Sequence, residues 1–111
     1  MFKKLIILSV FISPIIFGAN DGKITNMGFS GENSVWGAEH SDIVQISLEN
    51  EFSAPGCHIN FAAVKKSDTH MISALLSAYM ADRAITVQLS NKNTYYDGTR
   101  CFITDLFVHK K

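Results

Sequence analysis

The chain has 111 residues, 47% of them hydrophobic, with ten basic and ten acidic side chains and two cysteines. That length supports one domain with one modest core. The balanced charge excludes the basic footprint of a nucleic-acid binder, and the Lys65-Lys66 and Lys110-Lys111 pairs read as solvated turn and tail charges.

The first element is MFKKLIILSVFISPIIFGA, Met1 to Ala19. Lys3 and Lys4 precede an apolar run from Leu5 to Phe17, and the small Gly18-Ala19 follow. This layout predicts a secretory signal peptide over residues 1–19, although Phe17 is bulky where a small residue is preferred. The run is shorter than the about 20 residues a membrane span needs, and Pro14 would disturb one. No cysteine stands at the cut to carry a lipid anchor. Cleavage there leaves a single domain over residues 20–111, secreted or periplasmic. Without Lys3 and Lys4 it has eight basic against ten acidic side chains, a formal net charge of −2.

Lys23 to Phe29 (KITNMGF) predicts a first strand, with Gly28 as a bulge or bend. Ser30 to Ser41 is turn-rich. Asp42 to Glu49 (DIVQISLE) alternates cleanly, with Val44, Ile46 and Leu48 on one face. After a loop closed by Pro55-Gly56, Cys57 to Val64 predicts strand three, with Ile59, Phe61 and Ala63 sharing a face. Ser67 to Arg83 predicts a helix, capped by Ser67 or Asp68. Met71, Ile72, Leu75, Leu76 and Tyr79 form its apolar stripe. Ala84 to Ser90 predicts strand four, with Ile85, Val87 and Leu89 inward. Asn91 to Arg100 reads as a polar loop. Cys101 to His109 predicts strand five, with Cys101, Ile103 and Phe107 on one face and a bulge or edge exit at Asp105.

In an exported chain an even cysteine count reads as a disulfide, and two cysteines allow one pairing, Cys57 with Cys101. Closing so long a loop stabilises by about 4 kcal/mol in the chain-entropy model. The alternative is a free thiol beside His58 acting as nucleophile or metal ligand; the export signal favours the disulfide.

The expected class is therefore mainly β with one helix (α+β). The order β-β-β-α-β-β is that of an OB-fold-like five-stranded barrel, a layout that other α+β folds share. Together with the signal peptide, the single disulfide and the mature length, it resembles the B subunits of AB5-type bacterial toxins, the subtilase-cytotoxin and pertussis-like group. The run MISALLSAYMADRAITVQL is similar in character to their helix-then-strand segment, and CFITDLFV to their final strand. The layout is also similar to a broader set of small secreted bacterial proteins. It covers about Lys23 to Val108 and includes no specific motif. The resemblance implies a cell-surface glycan as ligand, a pentameric homo-oligomer and a catalytic A-type subunit as partners, and transfers no site residue.

OB-folds bind ligands with the loops joining strands one to two and four to five. Here those loops contain Trp36, and Tyr95 and Tyr96. Trp and Tyr pair an apolar face with a polar edge, which suits stacking on a sugar ring. Asn33, Ser34, Asn91, Asn93 and Thr94 are nearby donors and acceptors. The ligand-binding residues expected are Trp36, Tyr95, Tyr96 and Asn93. The alternative is structural: Trp36 closes one end of the barrel and the tyrosines pin their own loop.

No catalytic set, metal site or cofactor is expected. Gly28 to Gly31 is one residue short of G-x-S-x-G and precedes no helix. His40, His58, His70 and His109 lack metal-ligand spacing, and no phosphate-binding glycine loop occurs. The sequence thus reads as a non-catalytic secreted binding module for carbohydrate. Its rival is a small periplasmic structural or protein-interaction domain with no glycan ligand.

Overall fold

The computed structural model describes residues 20–110; the predicted signal peptide, residues 1–19, lies outside them. The fold is mainly β with one helix. Its elements are β1 (Asp21–Phe29), a 3-10 turn (Ala38–His40), β2 (Ile43–Leu48), β3 (Ala62–Lys65), α1 (Thr69–Met80), β4 (Ala84–Tyr95) and β5 (Arg100–Val108). The strands belong to one sheet whose ends meet, a ring in the order β1-β2-β3-β5-β4. All pairings are antiparallel except β3 with β5, which align Ala62 with Cys101 and Ala63 with Phe102. A parallel pair needs a long crossover, and here α1 and β4 supply it.

The core fills the ring. Ile24, Ile46, Leu48, Phe52, Val64, Leu75, Ile85, Val87 and Ile103 are among its buried members. The predicted face of β2 is as observed, since Val44, Ile46 and Leu48 are all buried. Among the described residues, no helix is long and apolar enough to cross a membrane.

Several predicted elements shift, each for a local reason. The bulge in β1 sits at Thr25, not Gly28: Ile24 pairs with Leu48 and Asn26 with Ser47, while Gly28 pairs regularly with Gln45. The extra residue lets Ile24 and Met27, three apart, both meet the core. The bulge suspected at Asp105 lies one residue earlier, at Thr104, between the pairs Gln88–Asp105 and Leu89–Ile103. It reverses the phase of β5, so Leu106 packs on the core and Phe107 is exposed, against expectation.

Strand three contracts to four residues, and Ile59 is exposed. Upstream of Ala62 the chain is bound instead by Phe52 N–H donating to Ile59 O at 2.8 Å and His58 N–H to Thr99 O at 2.8 Å. Strand four runs past Ser90 to Tyr95, because pairing with β5 resumes at Thr94–Cys101 after residues 91–93 loop out. The helix is shorter than predicted at both ends. Asp68 occupies the N-cap without a side-chain bond. Asp82 adopts φ 57°, a left-handed conformation that ends the helix. Only Leu75 and Ala78 are buried on α1; Met71 and Ile72 pack at the edge of the core, and Leu76 and Tyr79 are exposed. The ring is closed by strand pairing and the helix meets the core only through Met71, Ile72, Leu75 and Ala78, so the stripe is narrower than its sequence suggests.

Candidate functional site

Outside the ring, Ile43, Ala63, Tyr95 and Phe102 form a second small cluster. The β1–β2 loop folds over it. Ser30 N–H donates to Ile43 O at 2.9 Å and Asp42 N–H to Gly31 O at 3.0 Å, closing the base of the loop. Inside it, Ser34 Oγ accepts from Trp36 N–H and Ser41 Oγ accepts from Ser34 N–H, each at 3.2 Å. The serines between Gly31 and Asp42 thus build the loop that carries Trp36.

Above the cluster lies a cleft of about 230 Å³ lined by Trp36, His40, Gln45, Phe61, Tyr96 and Arg100. His40 is 6% exposed. Its Nδ1 lies 2.9 Å from Ser30 Oγ. The ring meets Tyr96 edge-on, with centroids 5.5 Å apart, and approaches Tyr95 at 6.1 Å and Trp36 at 6.4 Å. Gln45 Oε1 accepts two bonds, from Tyr95 Oη at 2.8 Å and from Arg100 Nη1 at 3.1 Å. The Arg100 guanidinium lies over Phe61 at 4.3 Å and over Tyr96 at 4.6 Å, a cation between two aromatic faces. Tyr96 takes φ 62° at the head of the β4–β5 turn, which parts its ring from that of Tyr95.

The four residues expected to bind ligand therefore separate. Trp36 is 62% exposed at the mouth of the cleft and does not plug the ring. Tyr96 lines the cleft, with one face over Arg100. Tyr95 is buried beneath it, 3% exposed, and serves as a structural pin. Burial pushes its phenol well above the ordinary tyrosine value, with the Arg100 charge opposing. Asn93 is not in the cleft; it lines a shallower depression with Lys65, Ser67, Asp68 and Thr104 beside Phe102. Other polar loop residues are occupied, Asn91 Nδ2–H donating to Pro55 O at 3.1 Å. The predicted disulfide is present between Cys57 and Cys101, Cα atoms 5.4 Å apart.

No protein-family model matches this chain, and neither a curated protein nor a solved structure matches it. The functional reading rests on the cleft itself. His40, Gln45, Phe61 and Arg100 were missed as site residues in the sequence. Gln45 carried a weak signal: it alternates away from the core face of β2, and on this side of the ring that outward face is roofed by two loops. Among the described residues no group of three His, Cys, Asp or Glu side chains is placed to hold a metal. Chemically the cleft can stack a ring on Trp36 and donate hydrogen bonds from an amide and a guanidinium fixed behind it.

Tyr95 tests how that fixing works. Tyr95→Phe removes one donor to Gln45 and lowers stability by about 1 kcal/mol. Because the folded state holds the phenolic proton more tightly than the unfolded chain, this component is complete below pH of about 10 and is lost as pH rises beyond it. Urea melts at pH 7 and 11 should therefore show a smaller gap between variant and wild type at pH 11.

Proposed function

We propose that this chain is an exported, non-catalytic binding module that recognises carbohydrate through the cleft at Trp36. The observation that carries the reading is a large aromatic ring left open to solvent beside a set of fixed polar groups: Trp36 at the mouth, Gln45 and Arg100 behind it. A buried tryptophan would be ordinary core; an exposed one whose backbone N–H is held by Ser34 Oγ, with Ser34 held in turn by Ser41 Oγ, is a platform.

The ring order supports an OB-type barrel, since strands three and five pair in parallel and the chain closes between strands one and four. In such barrels the loops joining strands one to two and four to five flank the binding face of strands two and three. Those two loops supply Trp36, His40 and Tyr96 to the cleft, and β2 supplies Gln45. The disulfide supports an oxidising compartment and so the signal-peptide reading. A toxin-type B subunit in a pentameric ring with a catalytic partner is the most specific form of this proposal. The second reading, an envelope protein-interaction domain, draws on the exposed Leu76, Tyr79 and Met80 of α1.

A glycan array probed with the oxidised mature protein separates the two. Binding to a defined glycan set, weakened about tenfold by Trp36→Ala, is the expected result. Tyr96→Ala should also weaken it, because it removes one wall of the Arg100 clamp. An array on which the wild type binds nothing, or on which Trp36→Ala changes nothing, sinks the carbohydrate reading and favours the second.

A further inference from the structure

The end of the ring away from the cleft has a surface of its own. β5 starts at Arg100 in the cleft and finishes at Val108, which pairs with Ile85 near the start of β4. Its nine residues span about 25 Å. At that far end α1 finishes, and the chain turns through Asp82 into β4. Leu76, Tyr79 and Met80 stand at i, i+3 and i+4 on α1, turned from the buried Leu75 and Ala78. All three are exposed, Met80 by 77%, and Val108 is exposed at the same end. Single apolar side chains on a surface are ordinary, whereas a group of them at one end marks a contact.

Cations rim this surface. Lys23, Asp82, Ala84 and Lys110 line a depression of about 360 Å³ at the end of α1. Arg83 lies between Asp82 and Ala84 in the chain, and His109 N–H donates to Ala84 O at 3.0 Å, which sets Lys110 beside them. Asp82 is the one carboxylate in the lining. It pairs with Lys23 at 3.1 Å with both side chains largely in water, where such a pair is weak. Glu49 is turned instead to the Lys23 backbone N–H, which it accepts at 2.9 Å. Arg83 and Lys110 have no acidic partner within 4 Å among the described residues. Three of the eight basic residues of a mature chain of net charge −2 thus collect where the apolar stripe ends.

We propose that this end of the molecule rests on an anionic bilayer surface, with Leu76, Tyr79 and Met80 among the headgroups and Lys23, Arg83 and Lys110 at the level of the phosphates. Lysine and arginine lay their methylene stems along apolar surface and keep their charge in the polar layer, and tyrosine favours the same layer. Apolar contact and attraction to anionic lipid then add to one another. A protein partner fits less well, because the centres of protein interfaces are depleted in lysine. The contact turns the cleft away from the bilayer by about the length of β5, open to ligand from outside. It is independent of what the cleft binds.

The test is co-sedimentation of the oxidised mature protein with vesicles. Phosphatidylcholine alone is compared with an equal mixture of phosphatidylcholine and phosphatidylglycerol, neither carrying glycan. At about 0.05 M salt the mixed vesicles should bind at least about tenfold more tightly, and about 0.5 M salt should remove most of the difference. Met80→Glu and Lys110→Glu, both at exposed positions, should each weaken binding about tenfold with the melting temperature unchanged. Trp36→Ala should leave vesicle binding as it is. A spin-labelled headgroup in the mixed vesicles should broaden the NMR signal of the Met80 methyl and spare the Trp36 indole. No binding to the mixed vesicles at low salt overturns the proposal and leaves the α1 face to a protein partner. Equal binding to the two vesicle types overturns it as well. So does binding that survives both glutamate variants or that Trp36→Ala abolishes, because the contact then lies elsewhere on the molecule.

Discussion

Replacing Cys57 and Cys101 together by alanine should lower the unfolding free energy by about 4 kcal/mol and the melting temperature by about 15–30 °C. The cysteines are 44 residues apart in sequence, so the bridge removes a large closed loop from the freedom of the unfolded chain. Its position in the ring adds to the effect. The seam between β3 and β5 is the shortest in the sheet, with two aligned residue pairs, and Cys101 belongs to one of them. The bridge joins the loop that leads into β3 to the start of β5, and so holds that seam from the side. Guanidinium melts of the wild type, the double variant and the wild type under reducing agent should give one large gap and two coincident curves. A gap under about 1 kcal/mol would mean that the seam holds without the bridge and that the loop-entropy account is wrong for this protein. The same bridge stands next to Arg100 in the chain, and His58 N–H donates to Thr99 O just before it. Reduction under conditions where the ring stays folded should therefore loosen the cation of the cleft before it disturbs Trp36.

How far this architecture can be read without coordinates depends on the range of the forces involved. The number and order of elements follow from local signals: alternation in DIVQISLE, helical spacing in MISALLSAYM, and an even cysteine count behind an export-like leader. The positions of bulges do not, because a bulge answers to the partner strand. Thr25 and Thr104 are unremarkable in sequence, yet each re-phases its strand so that the next apolar residue meets the core. The end of β4 was missed for a similar reason. Asn91 to Thr94 has loop composition, but Thr94 and Tyr95 regain partners in β5 once the residues between have looped out. The cleft was half legible. Aromatic residues in polar loops pointed to Trp36 and Tyr96, and they could not show that Tyr95 turns inward to Gln45 or that Asn93 stands on the far side of Phe102. Arg100 and Phe61 become a site only when the parallel pairing of β3 and β5 sets the start of one strand beside the start of the other.

Phe52→Ala should cost about 3–5 kcal/mol while leaving ligand affinity alone. Phe52 and Trp36 are both large aromatics in loops, and composition gives no means to separate them. In the structure they are opposites: Phe52 is 2% exposed inside the main core, and Trp36 is 62% exposed at the cleft. Phe52 N–H donates to Ile59 O at 2.8 Å, and the neighbouring Ser53 N–H donates to Asn20 Oδ1 at 2.9 Å. The backbone is therefore pinned on both sides of the ring it buries, and truncation leaves a cavity that this loop cannot relax to fill. Trp36→Ala removes an exposed ring from a loop whose bonds run through Ser34 and Ser41, so its stability cost should stay within about 0.5 kcal/mol. Chemical melts and binding isotherms on the two variants give a crossed result: stability lost without affinity in one, affinity lost without stability in the other. If Phe52→Ala also abolished binding at temperatures where it remains folded, the core and the cleft would be coupled through residues 50–61, the segment that carries Cys57 and Phe61. In that case its effect should combine non-additively with loss of the disulfide, and a double-mutant cycle between Phe52→Ala and the cysteine pair measures that coupling directly.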